Sequence, residues 1–164
     1  MRTKRLTELA LLTSLALIIF VIELRIPDLV PIPGVKLGLA NIITVYAVYR
    51  YKPSETAMIV FSRILLGAIF AGRPSALLYS AAGAALCLLG TLGLRRFIPQ
   101  NWIWLSSVLG AILHNTGQIF AAAILMRTPA IFSYYPVLLF SGCIAGAFTG
   151  GCAQLVIKRM KKDN

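Results

Sequence analysis

The stretch TAMIVFSRILLGAIFAG (residues 56–72) decides the fold class, because Arg63 is its only charged residue. A helix needs about 20 predominantly apolar residues to cross a bilayer, and this run nearly supplies them by itself. An arginine at mid-bilayer depth costs roughly 3 kcal/mol or more, and it usually faces the protein interior or a wet cavity. The stretch therefore predicts a membrane-spanning helix and marks Arg63 as a residue that needs a partner.

The rest of the chain has the composition of a membrane protein. Of its 164 residues, 59% are hydrophobic and 13% are charged, and its mean hydropathy is +0.83. Soluble domains contain about 25% charged residues, so a water-soluble fold is excluded. The length fits a single domain, residues 1–164. The basic start and the first apolar run lack a small-residue cleavage site, so we expect a retained helix rather than a signal peptide.

Six apolar segments predict an all-α bundle of six membrane-spanning helices. Their approximate bounds are residues 6–26, 34–51, 54–72, 74–94, 101–126 and 132–158. The second segment is the weakest because its uncharged part is short. Its basic residues Lys36 and Arg50 would extend outward from its two ends. Residues 25–35 contain three prolines, so they predict a stiff non-helical loop between the first two helices.

The positions of the basic residues predict the topology. If both termini are cytoplasmic, the inner segments hold eleven of the 16 lysines and arginines and the outer segments hold four, as the positive-inside rule requires. The inner residues are Arg2, Lys4, Arg5, Arg50, Lys52, Arg95, Arg96, Lys158, Arg159, Lys161 and Lys162, and the outer ones are Arg25, Lys36, Arg73 and Arg127. This placement explains the net charge of +11 by contact with a lipid bilayer, and we expect no nucleic-acid partner.

Aromatic and small residues complete the assignment of the helices. Tyr46, Tyr49 and Tyr51 are expected at the inner membrane interface, where tyrosine is enriched. On the last helix, Gly146 and Gly150 belong to a run of small residues at four-residue spacing, which is typical of helices that pack closely. We expect these glycines to serve internal packing.

Polar side chains from four helices are predicted to lie at similar depths in the outer half of the membrane. His114, Asn115 and Gln118 share one helix face because they stand at positions i, i+1 and i+4. Arg63 lies at a similar depth on the third helix. Together these residues predict a pocket that opens outward beneath the proline-rich loop. The candidate substrate-binding residues are Lys36, Asn41, Arg63, Tyr79, His114, Asn115 and Gln118.

Such a pocket would be cationic and rich in hydrogen-bonding groups. It would favour an anionic or carbonyl-rich ligand, since arginine binds carboxylate and phosphate groups with two parallel hydrogen bonds. Two structural alternatives stay open at this point. Arg63 could form an ion pair with Glu23 that joins two helices. The other polar groups could form interhelical hydrogen bonds, worth about 0.6 kcal/mol each.

Residues for catalysis or metal binding are not evident in the sequence. The chain has one histidine, no paired carboxylates and no Cys/His spacing typical of a metal site. Its cysteines Cys87, Cys143 and Cys152 lie in apolar runs, where we expect them to act as packing residues. We therefore expect no catalytic residues, no metal, no cofactor and no enzyme activity. Active transport would need ATPase partners, because no nucleotide-binding motif is present.

Three segments carry a resemblance to a known family: ALLTSLA (10–16), PGVKLGLAN (33–41) and FSRILLG (61–67). On these segments the chain resembles the substrate-binding S-components of energy-coupling factor (ECF) vitamin transporters. More narrowly, it resembles the Gx transporter family, whose members are often labelled heptaprenyl diphosphate synthase component I. The resemblance covers nearly the whole chain. It implies a six-helix, multi-pass S-component with an outward-facing pocket in a bacterial cell membrane.

The resemblance also implies partner proteins. S-components work with a membrane T-component and two cytoplasmic ATPase subunits, and they typically dock the T-component through an Ala-xxx-Ala face on the first helix. That face corresponds to Ala10 and Ser14 here, with serine in place of the second alanine. The synthase label disagrees with the residues, because prenyl synthases need aspartate-rich metal sites and the aspartates of this chain, Asp28 and Asp163, lie far apart.

Two functions are consistent with these observations. The first is a substrate-binding membrane subunit of an ECF-type transporter for a small vitamin- or cofactor-like molecule. The second is a non-transport membrane subunit that binds a quinone or flavin in a prenyl-quinone or electron-transfer pathway, because Arg63 and His114 would also hydrogen-bond a quinone carbonyl. A purely structural scaffold is disfavoured by the number of polar groups at the depth of the pocket.

Overall fold

The computed structural model describes residues 3–25, 38–72 and 74–162, which are predominantly helical and contain no β-strand. Its helices are α1 (Thr3–Arg25), α2 (Asn41–Arg50), α3 (Pro53–Ala71), α4 (Pro74–Leu94), α5 (Ile103–Met126) and α6 (Tyr135–Lys162). Two short 3-10 helices, Gln100–Trp102 and Pro129–Tyr134, precede α5 and α6. The prediction of an all-α bundle is confirmed.

Five of these helices, α1, α3, α4, α5 and α6, are long and apolar enough to cross a membrane. Their outward faces carry large apolar side chains, among them Phe61, Leu89 and Phe140, which are each about two-thirds exposed or more. A surface this apolar would associate in water, whereas hydrocarbon accommodates it. The structure is thus that of a multi-pass membrane protein.

Helix α2 is shorter than the sequence predicts. It has 10 residues and therefore rises about 15 Å, which is about half of the hydrocarbon thickness. The prediction of helix from residue 34 is wrong for residues 38–40, which form a turn; residues 34–37 lie outside the described ranges. Gly38 has a φ of 68°, a conformation that glycine adopts readily and that a right-handed helix cannot contain. The second apolar segment is therefore a half-length helix.

The remaining helix ends differ from the prediction by a few residues. Helix α3 begins at Pro53, where the fixed φ of proline suits the first helical position, and it ends before Gly72, which has a φ of 63°. Helix α6 continues to Lys162, beyond the predicted end at residue 158. Basic residues near a helix C-terminus interact favourably with the helix dipole. The end of the apolar run therefore underestimates the length of α6.

Polar contacts gather the two chain ends at one end of the bundle. The Arg5 guanidinium of α1 binds the Glu55 carboxylate of α3 through two hydrogen bonds of 2.9 and 2.8 Å. The Arg95 guanidinium, after α4, donates to the Val48 carbonyl near the C-terminus of α2 at 2.9 Å. The Tyr46 hydroxyl of α2 contacts Met160 of α6. We call this the basic end, because it carries the basic residues assigned above to the inner segments.

Helices α4, α5 and α6 pack through glycines. A β-carbon placed on Gly117 of α5 would lie 2.8 Å from the Ala82 carbonyl oxygen of α4. One placed on Gly146 of α6 would lie 2.9 Å from the Val108 Cα of α5. These backbones approach too closely for any side chain to stand between them, which is the role of small residues in membrane helix pairs. The prediction that Gly146 and Gly150 of the last helix serve internal packing is confirmed.

Candidate ligand-binding site

A cavity of about 530 Å³ lies inside the bundle, and all six helices contribute to its wall. Its lining extends from Glu23, Ala71 and Met126, at the helix ends opposite the basic end, to Tyr49 and Ser106 nearer the basic end. Pockets for small molecules usually measure about 300–1,000 Å³ and have apolar walls with a few polar groups. The cavity therefore has the size and lining of a small-molecule site.

The cavity brings together most of the residues that the sequence analysis selected. Its lining includes Asn41, Arg63, Tyr79, His114, Asn115 and Gln118, which lie on four different helices. The seventh candidate, Lys36, and the proline-rich loop at residues 26–35 lie outside the described ranges. The prediction that these residues bind a substrate stays a prediction, and the shared cavity gives it a geometric basis.

Arg63 faces this cavity without a carboxylate partner among the described residues. Its Nη1 atom donates to the Asn41 Oδ1 atom at 3.4 Å, a long hydrogen bond. The ion pairs within 4 Å that the described residues form join Arg5 to Glu8 and to Glu55. The alternative in which Arg63 pairs with Glu23 is therefore not what the structure shows. The positive charge of Arg63 remains available to a group inside the cavity.

Glu23 has a different, structural task. Its carboxylate is 4% exposed and accepts hydrogen bonds from the backbone N–H groups of Gly38 and Leu39. These bonds fix the turn that precedes α2, and the turn places Asn41 beside Arg63. The backbone hydrogen bonds occupy the Glu23 carboxylate, and it forms no ion pair within 4 Å with Arg63, although both residues line the cavity.

The polar face of α5 serves two purposes. The Asn115 Nδ2 atom donates to the Leu138 carbonyl oxygen of α6 at 2.6 Å, so this residue links two helices as the structural alternative expected. Gln118 and Tyr79, by contrast, are absent from the hydrogen bonds among the described residues, although both line the cavity. Only part of this polar set is used for helix packing, and the rest is available to a ligand.

The lining also contains hydroxyl groups that were not predicted as binding residues, among them those of Thr44, Tyr49 and Ser106. Tyr49 was expected at the membrane interface together with Tyr51, but Tyr49 lines the cavity. The centroid of the Tyr51 ring lies 4.2 Å from the Arg5 guanidinium carbon at the basic end. Thr44 stands three residues after Asn41, so the spacing of one helix face was the signal that could have found it.

The family described as heptaprenyl diphosphate synthase component I matches residues 12–156 of the chain. The chain belongs to this family. The family resemblance predicted from the sequence is thus confirmed. No curated protein and no solved structure matches the chain.

The family match covers every residue that lines the cavity and Ser14 of the predicted docking face, whereas Ala10 lies just outside it. The family name contains the word synthase, yet the described residues hold no group of three or more histidine, cysteine, aspartate or glutamate side chains that could bind a metal ion. Among the described residues of the lining, the charged side chains are Arg63 and Glu23, and the other polar groups are hydrogen-bonding side chains such as Asn41 and Gln118.

Proposed function

We propose that this protein is the substrate-binding membrane subunit, or S-component, of an ECF-type transporter for a small vitamin- or cofactor-like molecule. The observation that carries the proposal is the position of Arg63, which faces a cavity of about 530 Å³ and has no ion-pair partner among the described residues. A charge at membrane depth is expensive and marks functional sites. An anionic substrate would supply the missing countercharge.

The topology of the bundle supports capture of the substrate from outside the cell. The positive-inside rule puts the basic end in the cytoplasm, so both termini would be cytoplasmic. Helices α1 and α3 both begin at the basic end, and α1 ends on the opposite side of the bundle. The chain between the end of α1 and the start of α3 must therefore cross the membrane a second time. This connection would make six crossings, and the opening of the cavity would lie in the outer half of the membrane.

The exterior of α1 offers a surface for the partners that an S-component needs. Ala10 and Ser14 are both exposed on this helix, and neighbouring Leu11 is 65% exposed. Small residues allow a second membrane helix to approach closely. We assign this face to a T-component, which would in turn connect the protein to two cytoplasmic ATPase subunits in the cell membrane of a bacterium.

The proposal is tested by identifying what the protein binds. The detergent-purified protein is extracted under denaturing conditions, and any small molecule is identified for the wild type, Arg63→Gln and the control Arg96→Gln. Arg96 is exposed at the basic end, so its replacement removes the same charge outside the cavity. We expect a stoichiometric anion in the wild type and the control and its loss in Arg63→Gln at unchanged helix content. Retention of the molecule by Arg63→Gln would contradict the proposal.

An optical spectrum of the same samples distinguishes the S-component from the second candidate function, a membrane subunit that binds a flavin or a quinone. Visible absorbance would identify a bound flavin, and a solvent-extractable near-ultraviolet absorber would identify a quinone. Either result would favour the non-transport membrane subunit over the S-component.

A further inference from the structure

The deeper part of the cavity holds hydroxyl groups without partners. The Oγ1 atom of Thr44, the hydroxyl of Tyr49 and the Oγ atom of Ser106 are buried, and none of them has a hydrogen-bond partner within 3.5 Å among the described residues. The Tyr49 and Ser106 hydroxyls are close neighbours that interact weakly with each other, whereas the Thr44 hydroxyl has no partner in the described part of the chain. Thr44 is 7% exposed and Ser106 is 1% exposed, and all three residues line the cavity. Buried polar side chains in proteins almost always have a partner. We call these groups the unpaired hydroxyls.

The unpaired hydroxyls lie farther from the outer end of the cavity than Arg63. Asn41, which contacts Arg63, is the first residue of α2. Thr44 follows after three residues and Tyr49 after eight, so they stand about 4.5 and 12 Å farther along the helix axis. The wall between them includes the apolar residues Val45 and Val48. The cavity thus has a cation at one level and neutral hydrogen-bonding groups deeper inside.

Two threonine hydroxyls on other helices of the cavity lining already have partners. The Thr91 Oγ1 atom donates to the Cys87 carbonyl at 2.7 Å, and the Thr149 Oγ1 atom donates to the Ala145 carbonyl at 2.9 Å. Threonine in a membrane helix commonly makes this bond to its own backbone. Thr44 does not, although it lies in the interior of a regular helix. Its free hydroxyl therefore points to a partner that occupies the cavity.

We infer that the substrate is a two-ended molecule, with an anionic group against Arg63 and Asn41 and a neutral amide, carbonyl or hydroxyl group against the unpaired hydroxyls. This inference rests on the proposed function and specifies its substrate class. Hydroxyls both donate and accept hydrogen bonds, so they suit each of these neutral groups. A second charged group would need a countercharge, and Glu23 and Arg63 are the only Asp, Glu, Lys or Arg side chains in the described lining.

The same geometry discriminates against prenyl diphosphates, the class that the family name suggests. A prenyl chain beyond the anionic group would bury the unpaired hydroxyls against hydrocarbon. Leaving a buried donor or acceptor without a partner costs its full desolvation free energy. A site with polar groups of this kind rejects analogues that lack the matching group more strongly than an apolar pocket does.

Two probes of equal chain length test the inference: octanoate and the monoamide of suberic acid. Both carry one carboxylate, and they differ in the apolar or amide character of the far end. Binding to the detergent-solubilised protein is measured by native mass spectrometry, which counts only ligand attached to the protein. We expect the wild type to bind the amide-ended probe at least about tenfold more tightly, since an unmatched buried group is worth roughly one factor of ten.

The variants Thr44→Val, Ser106→Ala and Tyr49→Phe remove the unpaired hydroxyls with little change of shape. We expect each to reduce the preference for the amide and the combination of all three to abolish it. Thr91→Val is the matched control, because Thr91 lines the same cavity with a hydroxyl that is already bonded. Its preference for the amide should equal that of the wild type.

The outcomes separate this inference from the proposed function. If both probes bind equally to the wild type and both are weakened by Arg63→Gln, the anion site stands and the two-ended substrate is wrong. A preference for the amide that survives the combined Thr44→Val, Tyr49→Phe and Ser106→Ala change also overturns the inference. If neither probe binds, the two-ended substrate is wrong, and if both bind unchanged in Arg63→Gln, the proposed function fails as well.

Discussion

The two halves of the bundle are held together by different interactions. Helices α4, α5 and α6 pack backbone against backbone through glycines such as Gly117 and Gly146. Helices α1, α2 and α3 pack through apolar side chains such as Ala16 and Ile59. Polar contacts also link their ends, namely the Arg5–Glu55 ion pair and the turn bound by Glu23. We call them the glycine-packed half and the polar-linked half. The cavity lies between them, and its cation, Arg63, belongs to the polar-linked half.

This difference shows where a small membrane protein can contain a ligand-binding cavity. Close backbone packing leaves no room for a cavity, and it forms one rigid wall. The helices of the other half meet through side chains instead, which leaves room for the cavity between Arg63 of α3 and that wall. We therefore expect larger side chains to destabilise the glycine-packed half. We expect the polar-linked half to lose stability when its polar groups are removed.

The largest effect on stability is expected from adding bulk to the glycine-packed half. In Gly146→Val a β-carbon would lie 2.9 Å from the Val108 Cα, so α5 and α6 must separate. Overpacking of this kind costs about 3 kcal/mol, measured as a lower midpoint of thermal unfolding in detergent. Gly151→Val is the control on the same helix, since nothing lies within 4 Å of its β-carbon position. Equal effects of the two variants would refute the tight contact.

A bulky residue on the polar-linked half should instead act on assembly. Ser14 is exposed on α1, so Ser14→Trp should abolish copurification with a T-component while ligand binding and the unfolding midpoint stay unchanged. Ala85→Trp adds the same bulk at an exposed position of α4 and should leave the complex intact. Normal copurification of Ser14→Trp would disprove the assignment of this face.

A smaller loss of stability is expected when Glu23 loses its charge. Glu23→Gln keeps one acceptor for the two backbone N–H groups of Gly38 and Leu39, and hydrogen bonds to charged groups are worth about 1.5–3 kcal/mol. We expect destabilisation of about 1–2 kcal/mol and faster hydrogen exchange at the amides of the turn.

Glu8→Gln provides the comparison for this change, because Glu8 forms only an i,i+3 pair with Arg5 near the surface and such pairs contribute little. If Glu8→Gln were as destabilising as Glu23→Gln, the structural role given to the buried carboxylate would be wrong.

The smallest effect distinguishes paired from unpaired hydroxyls. Thr44→Val removes a hydroxyl without a partner among the described residues, so it should leave stability unchanged or raise it by less than about 1 kcal/mol. Thr149→Val removes a hydroxyl bonded within α6 and should lower stability by about 1 kcal/mol. Thermal unfolding of the ligand-free proteins measures both. The same sign for both changes would contradict the assignment of unpaired groups.

Much of the fold could be predicted from the sequence because long apolar runs determine membrane helices by themselves. The exception is α2, which the pattern extended back to residue 34. The turn at Gly38 is fixed by the Glu23 carboxylate, 15 residues earlier in the chain. A contact between residues so far apart in the chain does not change the local hydrophobic pattern. The pattern therefore could not show where α2 begins.

The site was predictable to the extent that depth and helix face can be counted. Counting along the helices placed Arg63, His114 and Gln118 at one level, and the cavity contains all three. Whether Arg63 pairs with Glu23 depended on side-chain direction, which spacing does not give. The hydroxyls of Thr44 and Ser106 were missed because a threonine or serine in an apolar helix usually bonds its own backbone, and nothing in the sequence distinguishes those that do not.

The most direct test of the central claim is the mass of the intact protein under native conditions, recorded side by side for the wild type, Arg63→Gln and Arg96→Gln. If the unpaired charge of Arg63 holds an anion in the cavity, the wild type and Arg96→Gln will carry the same additional small-molecule mass, and folded Arg63→Gln will carry none. An equal bound mass in all three proteins would contradict the account.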